Sequence, residues 1–92
     1  MTLKQVRALF SGTVQGVGFR YTARNLSRNF TVTGYVRNLT DGSVELIAEG
    51  DEQELKDFVE AITRSHLGAM IRETRIVWEA PENRFESFEI AV

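Results

Sequence analysis

Gln5-Val6-Arg7-Ala8-Leu9-Phe10-Ser11-Gly12-Thr13-Val14-Gln15-Gly16-Val17-Gly18-Phe19-Arg20-Tyr21-Thr22-Ala23 changes its hydrophobic period part-way along. Val6, Ala8 and Phe10 alternate with Arg7 and Ser11, the period of a half-buried strand, so a strand is expected over 5–12. Phe19, Ala23, Leu26 and Phe30 then recur at helical spacing, which predicts a helix over 19–29. Between them lies Gly12-Thr13-Val14-Gln15-Gly16-Val17-Gly18, too rich in glycine for either element, and read as a loop.

The rest of the chain follows from this strand–loop–helix unit. Thr31 to Asn38 reads as a strand, with Val32 and Val36 on one face and Tyr35 and Arg37 on the other. Thr40-Asp41-Gly42 is a hairpin turn, because glycine after aspartate suits a backbone that needs positive φ. Ser43 to Gly50 is the returning strand. Asp51 is placed to cap a second helix, with Glu54 completing a capping box and Leu55, Phe58, Val59 and Ile62 forming the buried stripe. Ile71–Glu79, where Trp78 reads as a packing residue, and Glu86–Ala91, where Phe88 and Ile90 alternate with Ser87 and Glu89, are the last strands. The order β-α-β-β-α-β, with a short C-terminal strand, predicts an α+β, ferredoxin-like split βαβ sandwich. Two helices would cover one face of a mostly antiparallel sheet. Many functions share such a fold, so the site has to decide the activity.

Size and composition narrow the field. The 92 residues allow one domain, taken as 1–92, with a single core. There is no cysteine, which removes disulfides, thiolate nucleophiles and cysteine-ligated metal from consideration. The N-terminus, Met1-Thr2-Leu3-Lys4-Gln5-Val6-Arg7, carries no long apolar run, so neither a signal peptide nor a membrane span is expected and the location is taken as cytoplasmic. On that basis the Asn-x-Ser/Thr triplets at Asn25, Asn29 and Asn38 are read as chance. The net charge of −2 hides an asymmetry: residues 1–40 carry +6 with no acid, and 41–92 carry −8. Such a basic half suits an anionic ligand, and equally suits a solvated basic helix face balanced by acidic strands.

Two places carry chemistry. Gln15-Gly16-Val17-Gly18-Phe19-Arg20 leads into a helix N-terminus, where unpaired N–H groups and the helix dipole favour an anion. A tight turn that binds nothing would need the same glycines. Arg20 sits in the first helical turn, where the dipole disfavours a cation, and Arg24 and Arg28 repeat that charge at four-residue steps. A phosphate beside Arg20 would turn the conflict into a charge-assisted contact. Asn38 ends its strand just before the turn; it serves either as an ordinary turn residue or as an amide that holds a water. His66, the only histidine, has no evident metal partners and is read as a loop residue. The glycines fit neither the Walker A pattern nor the dinucleotide fingerprint.

Val14-Gln15-Gly16-Val17-Gly18-Phe19-Arg20-Tyr21 resembles the signature loop of acylphosphatases, and Gly34-Tyr35-Val36-Arg37-Asn38-Leu39-Thr40-Asp41-Gly42-Ser43-Val44-Glu45 resembles their second motif. The likeness runs through nearly the whole chain. It implies a hydrolase of acyl phosphates with no cofactor and no metal. Arg20 would grip the phosphate together with the loop amides of Gln15, Gly16, Val17, Gly18, Phe19 and Arg20, and Asn38 would orient the attacking water. The partners implied are an acyl phosphate and product phosphate, without nucleic acid or membrane, for a protein expected to be a monomer. The chain departs from the family pattern at Ser65-His66-Leu67-Gly68-Ala69-Met70, where a Gly-Pro pair is usual, and at Thr13, which is often basic.

Two other functions fit parts of the same pattern. One is a module that binds an anion without turning it over, like the related domains that open large hydrogenase-maturation proteins; ending at Val92 favours an autonomous enzyme. The other is an RNA-binding domain of this topology. That would need a basic, aromatic sheet face, and Glu45 and Glu49 beside Tyr35 and Arg37 oppose it.

Overall fold

Alternation in the first strand sets the sheet in the computed structural model, which describes residues 2–92; Met1, where the reading of the N-terminus begins, lies outside them. β1 (Leu3–Gly12) is an internal strand, antiparallel to β3 (Val44–Asp51) on one side and β4 (Ile71–Glu79) on the other. β2 (Val32–Asn38) pairs antiparallel with β3 and parallel with the short β5 (Phe88–Ile90). The strand order is β4-β1-β3-β2-β5, an open mixed sheet of five strands. Two helices, α1 (Phe19–Ser27) and α2 (Glu52–Arg64), lie on one face, the ferredoxin-like arrangement read from the sequence.

Val6, Ala8 and Phe10 of β1 are fully buried, as are Val36 of β2 and Val44, Leu46 and Ala48 of β3. They meet Phe19 and Ala23 of α1 and Leu55, Phe58 and Ile62 of α2. The aromatic rings weld these layers: Phe10 and Phe19 have centroids 5.0 Å apart, and Phe58 meets Phe88 of β5 edge-on at 5.2 Å. Such pairs add about 0.5–1.5 kcal/mol beyond the area they bury.

One expectation is corrected. Asp51 does cap α2, accepting from the Gln53 N–H at 3.2 Å. Glu54 does not complete a capping box; its carboxylate accepts from the Thr31 N–H at 2.8 Å and fastens α2 to the segment entering β2. A tertiary donor, the Thr31 N–H, outcompetes the local Asp51 N–H, because Asp51 is also the last residue of β3, held opposite Leu3. Trp78 lies on the edge strand β4, 38% exposed, beside Val6, Val59 and Ile76. Among the described residues no helix is long and apolar enough to cross a membrane.

Gly34 is the tightest point of the sheet. Its φ is 141°, and a Cβ there would drive into the carbonyl of Ile47 on β3. Gly34→Ala is therefore expected to destabilise the fold by about 3 kcal/mol, through backbone strain and overlap together, read as a lowered urea midpoint at unchanged slope.

Candidate active site

The loop between β1 and α1 is pinned at both ends and open between. At its start Val14 is fully buried, and the Thr13 N–H donates to the Met70 carbonyl at 3.0 Å. At its end Phe19 is buried against Phe10. Gly16 and Gly18 have φ of 78° and 79°, and nothing lies within 4 Å of where a Cβ would sit. These glycines answer a backbone demand, not crowding; an L side chain in this conformation costs about 1–2 kcal/mol. Positive φ at Gly16 and Gly18, on either side of Val17, turns the chain sharply just ahead of α1.

Helix α1 then begins with no cap. Gly18 supplies no side chain, the first turn holds no acid, and the first helical hydrogen bond is Thr22 N–H to the Gly18 carbonyl at 3.0 Å. Among the described residues the amides of Gly16, Val17, Gly18, Phe19, Arg20 and Tyr21 have no acceptor. Arg20 lies in this first turn, half-exposed, and no carboxylate among the described residues comes within ion-pair distance of it. Arg24, one turn on, pairs with Glu89 of β5 at 3.7 Å, a partner the linear sequence hides.

Asn38 stands at the end of β2, opposite Val44, which is itself opposite Phe10 of β1. Loop and hairpin therefore share one end of the sheet. The Leu39 N–H donates to Ser43 O at 2.9 Å, and Gly42, at φ 93°, closes the turn. The Asn38 side chain is half-exposed and has no hydrogen-bond partner among the described residues.

Gln15 joins the two pieces. Its side-chain Nε2 donates to the carbonyls of Leu39 at 2.7 Å and Ser43 at 2.9 Å, across a gap of 24 and 28 residues in sequence. Its place in the loop points to the Gln15 backbone amide as a donor and gives no sign of this use of its side chain. No periodicity marks it, since the contact depends on where the hairpin folds back. The departure segment also has a structural part: Ser65 caps a single 3₁₀ turn over His66–Met70, Leu67 is buried beneath it, and Met70 offers the carbonyl that receives Thr13. His66 is exposed on that turn.

The sheet face away from the helices is internally neutralised. Glu45 accepts from Arg37 Nε at 2.8 Å and from the Tyr35 hydroxyl at 3.0 Å, with Arg7 at 3.9 Å. Burial raises the Tyr35 hydroxyl pKa, and the Glu45 carboxylate raises it further. Glu49 accepts the N–H groups of Glu82 and Asn83.

The family model for acylphosphatase matches residues 6–90. The chain belongs to the acylphosphatase family. An acylphosphatase of Salinibacter ruber is 40% identical over 89 residues, which is 97% of this chain and 94% of that protein. The acylphosphatase of Thermotoga maritima is 38% identical over 88 residues, 96% of this chain and 97% of the other. The crystal structure of acylphosphatase from Bacillus subtilis superposes with a TM-score of 0.88 at 33% identity, covering 99% of this chain and 100% of that one. The family likeness thus spans both motifs and every element of the sheet.

Removing the Gln15 amide would strip a donor from two carbonyls. Gln15→Ala is expected to cost about 1–3 kcal/mol in urea unfolding, and to loosen the loop from the hairpin, seen as faster amide exchange at residues 39–43. The turn itself carries a titration. The Ser43 hydroxyl, and after it the Ser43 N–H, hold the Asp41 carboxyl below its ordinary 3.8. A lowered folded-state value means that this contribution to stability is complete above 3.8 and is lost as pH falls through the lowered value. Ser43→Ala should move the Asp41 titration up toward 3.8, followed by side-chain carbonyl NMR.

Proposed function

We propose that this chain hydrolyses acyl phosphates, cleaving the carboxyl–phosphate anhydride to a carboxylate and inorganic phosphate. The observation that carries the reading is the run of acceptor-free amides from Gly16 to Tyr21, at an uncapped helix N-terminus that contains Arg20. Solvent-accessible donors at a helix N-terminus are met by water or by an acceptor from outside. An oxyanion of the phosphoryl group satisfies both them and the helix dipole.

The division of labour follows from the chemistry. The loop amides and Arg20 hold the phosphoryl oxygens and spread the charge that builds on them. Asn38 both donates to and accepts from a water, setting it in line with the bond to be broken. Water oxygen attacks phosphorus, the phosphorus–oxygen bond to the acyl group breaks, and the carboxylate leaves with that electron pair. The water's proton passes to a phosphoryl oxygen. A carboxylate is a good leaving group, so no strong general acid is needed, and positioning with charge stabilisation carries the rate. On this reading the reaction needs no metal ion, and the substrate and product are the only partners it requires.

Benzoyl phosphate hydrolysis followed by absorbance, in buffer containing a chelator, tests the assignment. We expect turnover by the wild type. Arg20→Ala should lose at least about 10²-fold in rate, the usual cost of one preorganised donor, together with phosphate affinity. Asn38→Ala should lose a similar factor while keeping most of its phosphate affinity. Each variant's fold is checked by circular dichroism. A folded wild type that binds phosphate without turnover would replace the enzyme reading with an anion-binding module, and a large loss of phosphate affinity in Asn38→Ala would overturn the division of roles.

A further inference from the structure

Tyr21 is the third residue of α1, and it is 64% exposed. Phe19, two residues before it, is buried against Phe10 of β1 and marks the side of the helix that faces the sheet. At about 100° per residue, Tyr21 stands roughly 200° round the helix from Phe19, on the side away from the sheet. Helical side chains also lean toward the N-terminus, so each covers the turn before its own. For Tyr21 that turn is the end of the loop. Gly16 and Gly18 carry no side chain there, and nothing lies within 4 Å of where a Cβ would sit. Among the described residues the Tyr21 ring meets no other ring, and its hydroxyl has no hydrogen-bond partner. The other tyrosine, Tyr35, is tied down by Glu45 and by the edge of Phe85.

The chemistry of the reaction says where the acyl group would lie. In an in-line displacement the attacking and leaving oxygens sit on opposite sides of phosphorus. Asn38, the residue assigned to the water, belongs to β2 and so approaches the phosphoryl group from the sheet. The carboxylate then leaves on the side away from the sheet, where Tyr21 projects.

We propose that the Tyr21 ring is the acyl-side contact of this site and selects acyl phosphates of aromatic carboxylic acids. The inference rests on the function proposed above. A flat ring laid against the phenol removes from water apolar surface that both expose beforehand. The two glycines leave the ground beside Tyr21 open for it. A methyl group, as in acetyl phosphate, covers little of the phenol, so the contact favours the aromatic acyl group over the small one. It depends on the ring and makes no use of the hydroxyl.

The test compares kcat/KM for benzoyl phosphate and acetyl phosphate, since intrinsic reactivity cancels when one ratio is followed between variants. Tyr21→Ala should shrink the preference for benzoyl phosphate about three- to tenfold, the range of one aromatic contact, chiefly through KM. Tyr21→Phe keeps the ring and should keep the preference. Circular dichroism checks the fold of both. Equal losses on the two substrates, an unmoved preference in Tyr21→Ala, or a preference lost in Tyr21→Phe would overturn the proposal. Phenylphosphonate and methylphosphonate, which have no acyl–phosphate bond to break, read the same contact without turnover. Phenylphosphonate should bind the wild type more tightly and shift the Tyr21 ring signals in NMR, and Tyr21→Ala should remove the difference. A wild type that hydrolyses neither acyl phosphate yet shows this binding pattern would sink the hydrolase reading and support the ring contact. Equal binding of the two phosphonates overturns the contact itself.

Discussion

Two hydrogen bonds from the Gln15 side chain hold the loop after β1 against the hairpin between β2 and β3. Everything proposed for the site depends on that junction. The loop supplies donors and Arg20, the hairpin supplies Asn38, and neither segment alone contains both. Sheet register already brings Phe10, Val44 and Asn38 to one end. Register fixes strands, however, and leaves loops free to swing. The amide of Gln15 converts a shared end of the sheet into a fixed spacing between loop and hairpin. It also answers two carbonyls that the turn does not otherwise satisfy fully: the Ser43 oxygen takes the Leu39 N–H and the Gln15 amide together.

The loop pays for its openness in local stability. A serine or aspartate at position 18 would cap α1 and satisfy one of its first amides, worth about 1 kcal/mol. Glycine stands there instead, in a left-handed conformation that those residues adopt less readily. An acid in the first turn would suit the helix dipole, and the turn has none. Each departure lowers helix stability, and each keeps the amides free and the field positive. The burial of Phe19 and Val14 on either side supplies the compensation, anchoring the segment through the core alongside the Gln15 side chain.

Periodicity made most of this fold legible. β1, α1 and α2 each present one apolar face to one core, so their residues recur at the period of the element. The Asp41-Gly42 turn was readable because φ at Gly42 demands glycine. What escaped were side chains that serve a distant segment. Glu54 has the spacing of a capping box and goes to Thr31. Glu45 and Glu49 read as repelling charges on an open face, yet they are buried acceptors for Tyr35, Arg37 and the N–H groups of Glu82 and Asn83. In each case local pattern is compatible with several tertiary outcomes, and the packing of other elements selects one.

Charge shows how structure sharpens a sequence signal. The first forty residues carry six cations and no acid, which by itself fits an anion site or a solvated helix face. Folding assigns most of them. Lys4 goes to Glu52, Arg7 and Arg37 to Glu45, and Arg24 to Glu89. Arg20 and Arg28 remain without a carboxylate among the described residues. Arg28 stands at the C-terminal cap of α1, where the dipole welcomes a cation and no further partner is needed. Arg20 stands at the other end, where the dipole opposes it. The asymmetry of the whole N-terminal half thus reduces to one guanidinium in an unfavourable field, next to amides that lack acceptors. On the function proposed above, an anion at this end would meet both the guanidinium and the amides.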